Sequence, residues 1–313
     1  MNTRKFFSVL IVIIVILSLS ISTFAVATKY SSVIGGGNEV YFTTSDGKLY
    51  VTQPNSSNLI QIKKVTNVKM AADDVYFGLW VMDKSGYVYY YQDDPDHVGT
   101  YPTKKKLDKL GTVKSISIGS EGMYALKSDG SVWGVNNKLQ VFKVAGLSGV
   151  TSISIKDFDV IALKSNGTVW QWRDEAVIAD FVKKIPLTQI TELKNVKQIS
   201  AGASNGLALK KDNTVWQWSF DSEGAPKPVQ IKGFTGAKSI EAGRMEAYVI
   251  DGTGNVWTWK QWGDKKNSPS KIKGFTQIIS MAASGKDSYD GFSNGRLVAF
   301  DKNNKFKIYN VGY

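Results

Sequence analysis

The sequence predicts an all-β protein, a single seven-bladed β-propeller of four-stranded antiparallel blades behind an N-terminal signal peptide. Three observations carry this reading. A segment of similar pattern recurs seven times along the 313 residues. Each copy holds a Gly or Asn turn between apolar runs. The composition, with 29 Gly, 7 Pro, 9 Trp, 14 Tyr and 14 Phe, suits many turns between packed strands.

The N-terminus comes first. Met1 to Lys5 is short and basic, Phe6 to Phe24 carries no charge, and Ala25-Val26-Ala27 gives the small-x-small pattern of a signal peptidase site. Cleavage is expected after Ala27, leaving a propeller of residues 28–313. The uncharged run approaches bilayer-spanning length, so an uncleaved anchor is the alternative, and only then would the chain meet a membrane. Either way the expected location is secreted or at the extracellular cell surface.

Four strong copies follow one another. Val113-Lys-Ser-Ile-Ser-Ile-Gly119 leads to Ala125-Leu-Lys-Ser-Asp-Gly-Ser-Val-Trp133, and Val150-Thr-Ser-Ile-Ser-Ile155 leads to Ala162-Leu-Lys-Ser-Asn-Gly-Thr-Val-Trp-Gln-Trp172. Val196-Lys-Gln-Ile-Ser-Ala-Gly202 precedes Ala208 to Trp218, and Ala237-Lys-Ser-Ile-Glu-Ala-Gly243 precedes Val249 to Trp259. Weaker copies lie at 41–50, 81–89 and 299–306. The turn residues are Gly47, Gly86, Gly130, Gly167, Asn213, Gly254 and Asn304, a mean spacing of about 43, as in propeller blades. Gly and Asn accept the positive φ that a tight two-residue hairpin turn requires. After the turn, Trp170 and Trp172 fall on one face of a strand at i, i+2. A unit this small cannot cover its own apolar faces, so neighbours stack around an axis. The last copy ends without residues for a fourth strand. Residues Thr28 to Ser32 are therefore expected to supply the outer strand of the seventh blade.

Composition excludes several chemistries. With no Cys there are no disulfides, thiolate metal sites or cysteine nucleophiles, and one histidine, His97, leaves little room for a triad or a His-rich metal site. No motif asks for a cofactor. The formal charge is +12, and loss of residues 1–27 removes Arg4 and Lys5 and no acid, leaving +10. Such a charge favours anionic partners, among them cell-wall polymer. Export argues against nucleic acid. Asp93-Asp94-Pro95-Asp96-His97 gathers oxygen ligands but fits no calcium-loop spacing, and reads as a solvated turn. The run Lys104-Lys105-Lys106 reads as a solvated loop. Asn55-Ser-Ser and Asn166-Gly-Thr match the glycosylation acceptor pattern without further support.

The unit Val-x-x-Ile-x-Ala-Gly…Ala-Leu-Lys-x-Asp-Gly-x-Val-Trp-x-Trp resembles the repeat of the regulator of chromosome condensation family. The resemblance spans the chain after residue 27 and is strongest at 113–134, 150–172, 196–218 and 237–259. Given export, it points to secreted bacterial members of the β-lactamase-inhibitory protein II type. It implies a seven-bladed propeller that binds another protein through loops on one face. The family's usual loop histidine is missing, replaced by Ser120-Glu121-Gly122 and Ser204-Asn205-Gly206, and the Gly-rich tail after the Trp pair survives only around Asn136-Asn137.

The first inter-strand loops should emerge together around the channel. They bring candidate binding residues Asp73, Asp74, Glu121, Asp157, Phe158, Asp159, Asn205, Arg244, Met245, Lys286 and Tyr289, with Trp262 a candidate for stacking on a sugar. The expected function is an exported, non-enzymatic, monomeric scaffold that binds a protein, as an inhibitor or a surface adaptor. Alternatives are a wall-polymer or polysaccharide module, and a hydrolase or lyase with carboxylates at the propeller mouth. The paired tryptophans are expected in the core between blades. Trp172→Ala and Trp218→Ala should each cost roughly 3–5 kcal/mol in chemical denaturation; full stability with lost ligand binding would instead place them in a site.

Overall fold

A computed structural model describes residues 30–35, 39–52, 59–74, 78–92, 103–120, 122–173, 185–203, 205–220, 226–234, 236–243, 246–261, 268–284, 295–303 and 305–310. The signal-peptide segment, Asp93 to His97, Asn55 and Asn304 lie outside these. The described residues form seven antiparallel sheets, each built from strands consecutive in the chain. Six sheets have four strands, and the seventh has three among the described residues. The result is a seven-bladed propeller, as the repeat predicts.

The first strand of every blade faces the axis. In order these are Tyr30–Gly35, Val68–Asp73, Ser115–Gly119, Val150–Lys156, Val196–Gly202, Ser239–Ala242 and Ile278–Ser284. Residues from all seven line one central cavity of about 240 Å³. The hairpins between second and third strands carry the predicted turns, with Gly130 at φ 77° and Asn213 at φ 67°. Asn can replace Gly there because its short polar side chain tolerates the left-handed region. The loops are one residue longer than the sequence suggests. Gly47 N–H donates to Thr44 O at 2.9 Å and Thr44 N–H to Lys48 O at 3.0 Å, which encloses three residues. A type I turn followed by a left-handed residue gives this geometry, and it matches the twist of the flanking strands.

Blade-to-blade contacts explain the repeated residues. Ser117, Ser154 and Ser200, the centres of the Ile-Ser-Ile or Ile-Ser-Ala strands, accept hydrogen bonds from backbone N–H groups of the next blade. The donors are Ile155 at 3.0 Å, Ala201 at 2.9 Å and Ala242 at 2.9 Å. Glu241 continues the series, its Oε1 accepting from Ala283 N–H at 3.1 Å. Farther out, the second Trp of each pair reaches back to the preceding blade. Trp218 Nε1 donates to Gln171 Oε1 at 2.7 Å, and Trp259 Nε1 to Gln217 Oε1 at 2.8 Å. The glutamine of one Trp-Gln-Trp thus serves the tryptophan of the next copy. Trp172 packs edge-on against Tyr124 of blade 3, and Trp172, Trp218 and Trp259 are all buried. The first Trp of each pair is only half-buried. Lysines of the Ala-Leu-Lys strands cover two such rings, Lys164 over Trp170 and Lys210 over Trp216, and Lys127 covers the unpaired Trp133 at the same position of blade 3, all at 4.2–4.3 Å.

Closure differs from the sequence expectation. Tyr30, Ser31 and Ser32 belong to the innermost strand of blade 1, paired with Val40–Thr44, and do not form an outer strand of blade 7. The ring must have a seventh channel-lining strand beside Ile278–Ser284, and only this segment supplies it among the described residues. Blades 7 and 1 join through an apolar cluster of Val40, Phe42, Ala282, Val298 and Phe300, against which Tyr30, Tyr50 and Phe306 pack. Phe42 and Phe300 meet edge to face with centroids 5.4 Å apart. The serine position is Ala282 in blade 7, Ile34 in blade 1 and Ala72 in blade 2, so among the described residues these three of the seven junctions lack the side-chain acceptor at that level.

Gln217→Ala would leave the Trp259 indole N–H without its acceptor in a dry interface. It should cost about 1–3 kcal/mol by urea denaturation; a neutral result would mean the contact between blades 5 and 6 is solvated.

Candidate functional site

Because strands alternate in direction, the two ends of the propeller are built differently. One end carries the second-to-third strand hairpins and the connections between blades. The other carries the first-to-second and third-to-fourth strand connections, and there length varies widely. First-to-second connections run from 120–121 in blade 3 to 285–295 in blade 7, and third-to-fourth from 137–140 in blade 3 to 174–184 in blade 4. Hairpins at the opposite end vary by one residue. Variable loops on a rigid frame are how a scaffold acquires a recognition surface.

The structure places the candidate residues of this loop end unequally. Asp157 sits at φ 51° in the turn that ends the first strand of blade 4. Its carbonyl accepts from Ser120 N–H at 3.0 Å, and its Oδ1 from the Ser120 hydroxyl at 3.2 Å, which ties blade 3 to blade 4 at the mouth. Phe158 follows it, half-buried. Asp159 is turned inward, where both carboxylate oxygens meet the Arg173 guanidinium, Oδ2 at 3.1 Å from Nη2. Both partners are buried, so neither presents a charge to a ligand. Asp74 accepts from Gly78 N–H at 2.8 Å and Trp80 Nε1 at 3.0 Å, holding its own loop. Asp73 and Asn205 are also buried, the Asn205 amide donating to Ala203 O at 3.3 Å. Glu121, Arg244, Met245, Trp262, Lys286 and Tyr289 lie outside the described residues.

Two further side chains, absent from the sequence-predicted set, reach the cavity: Lys156 and Glu241. Each had a signal in the repeat. Glu241 replaces the serine of the other strong copies, and Lys156 stands where Gly119, Gly202 and Gly243 stand. Burial pushes the Glu241 carboxyl up to about 7, against the opposing pull of Ala283 N–H and Lys156. General acid–base hydrolysis needs two carboxylates flanking an open site. Among the described residues Asp74 and Asp159 are spent on structural contacts, and Asp157 bridges to Ser120. Glu39 is held by Thr52 and Arg296, and Asp73 and Glu246 are buried, so the described part of this end presents a polar rim with a half-buried aromatic above a narrow channel.

No protein-family model matches the chain, and no curated protein matches it. Solved structures do. Prp20p of Saccharomyces cerevisiae, the yeast RCC1, aligns with TM-score 0.64 at 15% identity over 81% of this chain and 80% of its own; its structure was described with its binding to Gsp1p and histones. Human WBSCR16 aligns with TM-score 0.63 at 12% identity over 82% of this chain and 85% of its own. PorZ of Porphyromonas gingivalis, a bacterial surface component of the type-IX secretion system, aligns with TM-score 0.59 at 10% identity over 91% of this chain but 38% of its own. The chain shares the seven-bladed fold of the regulator of chromosome condensation propellers.

The buried Glu241 carboxyl sets a pH dependence. Below its ordinary value of 4.5 it is protonated folded and unfolded, and costs nothing. Above about 7 the folded protein must ionise it in place, so its contribution falls as pH rises through that window. Glu241→Gln keeps an acceptor for Ala283 N–H and removes the titration. Measured by denaturation, the variant should gain on the native protein by about 3 kcal/mol between pH 4.5 and above 7; a constant difference would show a solvated carboxylate.

Proposed function

We propose that this chain is an exported, non-enzymatic propeller scaffold that binds a partner protein through its loop end. The observation that carries this is that length varies most at one end, where connections run from 120–121 to 285–295, while the connections between blades at the other end run only from 191–195 to 107–114 and its hairpins differ by one residue. That end also concentrates the residue types that anchor interfaces, with Phe158 at the mouth and Arg244, Met245, Trp262 and Tyr289 in its connections. Prp20p, which binds Gsp1p, histones and Kap60, supports a propeller of this fold in such a role. Export and a place at the cell surface rest on the N-terminal pattern of residues 1–27.

The test is a crosslinking pull-down with the purified protein against the native exported and surface fraction, at low and high salt. The expected result is one discrete protein retained at high salt and lost with Phe158→Arg, because an aromatic-anchored interface resists screening. Retention of wall polymer alone, disappearing as salt rises, would overturn the protein-binding reading.

A further inference from the structure

The hairpin end has its own chemistry. Where the first strand begins, the ladder slips by one residue in five blades, between Tyr30 and Ser32, Val68 and Met70, Val150 and Ser152, Val196 and Gln198, and Ile278 and Ser280. A bulge of this kind leaves one residue out of the ladder and re-aims its side chain. In blades 3 and 6 the same position is held by Lys114 and Lys238, whose N–H groups donate to Leu126 O at 2.7 Å and Ile250 O at 2.8 Å. Round the mouth of the channel the seven positions read Ser31, Lys69, Lys114, Thr151, Lys197, Lys238 and Ile279. Four are lysines, and all four are exposed.

The hydrogen bonds these ammonium groups make orient them without cancelling their charge. Lys69 Nζ donates to Lys114 O at 3.4 Å, and Lys197 Nζ to the Asn213 side-chain oxygen. Outside the ring, Lys63, Lys194, Lys232 and Lys273 stand in four of the connections between blades. The described carboxylates of this end sit in the hairpins (Asp46, Asp83, Asp129, Asp212, Asp251 and Asp301) and in two connections between blades (Asp108 and Glu192), none at the seven ring positions; Asp46 and Asp108 pair with Lys48 and Lys106, and Asp129 and Asp212 each accept hydrogen bonds from a Ser or Thr two residues on. No arginine occurs among the described residues of this end; Arg173 and Arg296 both belong to the loop end. Arginine suits fixed bidentate partners, whereas lysine is a mobile point charge that suits repeated, evenly spread negative charge.

We propose that the hairpin end is a second binding surface, for a flexible single-chain phosphate-bearing polyanion, as distinct from a duplex nucleic acid, laid across the lysine ring. It is independent of whichever protein docks on the loop end, and would make the propeller a two-sided adaptor. A membrane surface fits less well, because Ile279 is the one strongly exposed large apolar side chain on the ring.

The probe is inorganic polyphosphate, titrated against the full-length protein at several salt concentrations. Binding should weaken steeply with salt. Lys69→Gln/Lys114→Gln/Lys197→Gln/Lys238→Gln should lower affinity at least tenfold and flatten the log–log salt slope by roughly 3, at about 0.7 for each phosphate no longer neutralised. A control of equal charge change away from this end, Lys105→Gln/Lys138→Gln/Lys227→Gln/Lys260→Gln, should alter both much less. Equal losses in the two variants would reduce the effect to net charge and overturn the proposal. So would no binding of polyphosphate by the native protein. Preference for phosphatidylglycerol vesicles, or for duplex DNA at equal phosphate concentration, would reassign the surface and overturn it as well. Melting curves of both variants separate lost binding from lost folding.

Discussion

Contact between neighbouring first strands is the constraint from which the rest of this structure follows. A four-stranded blade has two apolar faces and cannot stand alone, so every blade is stable only between two others. The chain meets this demand in two ways. From blade 3 to blade 7 the contact is polar as well as apolar, with Ser117, Ser154, Ser200 and Glu241 each accepting a backbone N–H from the next strand. From blade 7 through blade 2 those positions are Ala282, Ile34 and Ala72, and the ring is completed by side-chain packing, most densely in the aromatic cluster around Phe42 and Phe300, with Arg296 of blade 7 paired to Glu39 of blade 1 at 3.7 Å.

The same constraint separates the two ends functionally. At the hairpin end, turns pack close to the next blade; a Cβ added at Gly130 would lie 3.1 Å from Gly149 Cα. Hairpin length is nearly fixed there, and much of the variety lies in side chains that project outward, such as Lys69 and Lys197 from their bulges. At the loop end the strand ends also approach the next blade closely, a Cβ at Gly119 falling 2.6 Å from Asp157 O, but the connections beyond them differ widely in length from blade to blade. The proposed functions follow that division, shape-specific recognition at the loop end and charge-based recognition at the hairpin end. Placement of arginine and lysine agrees with that division.

Much of this was legible in the residues. Blade number, hairpin positions and the buried role of Trp172, Trp218 and Trp259 follow from the spacing, because turn chemistry and i, i+2 periodicity are local. What depends on the neighbouring blade was not legible. The glutamine of Trp-Gln-Trp looks like a solvent-facing residue until the next copy's indole is seen to reach it. Closure was misplaced because the sequence shows how many strands remain, but not which edge of the ring needs one. Among the site residues, Asp159 reads as a loop carboxylate, yet it is drawn inward by Arg173, which stands on the next strand of the sheet, 14 residues on. The lysine ring is hidden in the sequence because a bulge breaks the alternation by which a strand's outward positions are counted. Glu241 and Lys156 are detectable as charges that interrupt an otherwise small or hydroxyl position of the repeat.

Hydrogen exchange in the native protein would test the central claim, that the aromatic packing and the Glu39–Arg296 ion pair close the ring as firmly as the junctions bonded through Ser117, Ser154, Ser200 and Glu241 hold the rest. Amide protons of Ile155, Ala201, Ala242 and Ala283 in the bonded part would be compared with those of Phe42, Val298 and Phe300 at the closure. All are expected to exchange only through global unfolding, with one common dependence on denaturant. Earlier exchange of the closure amides, at a lower opening free energy, would show a ring that opens between blades 7 and 1 and would contradict the claim.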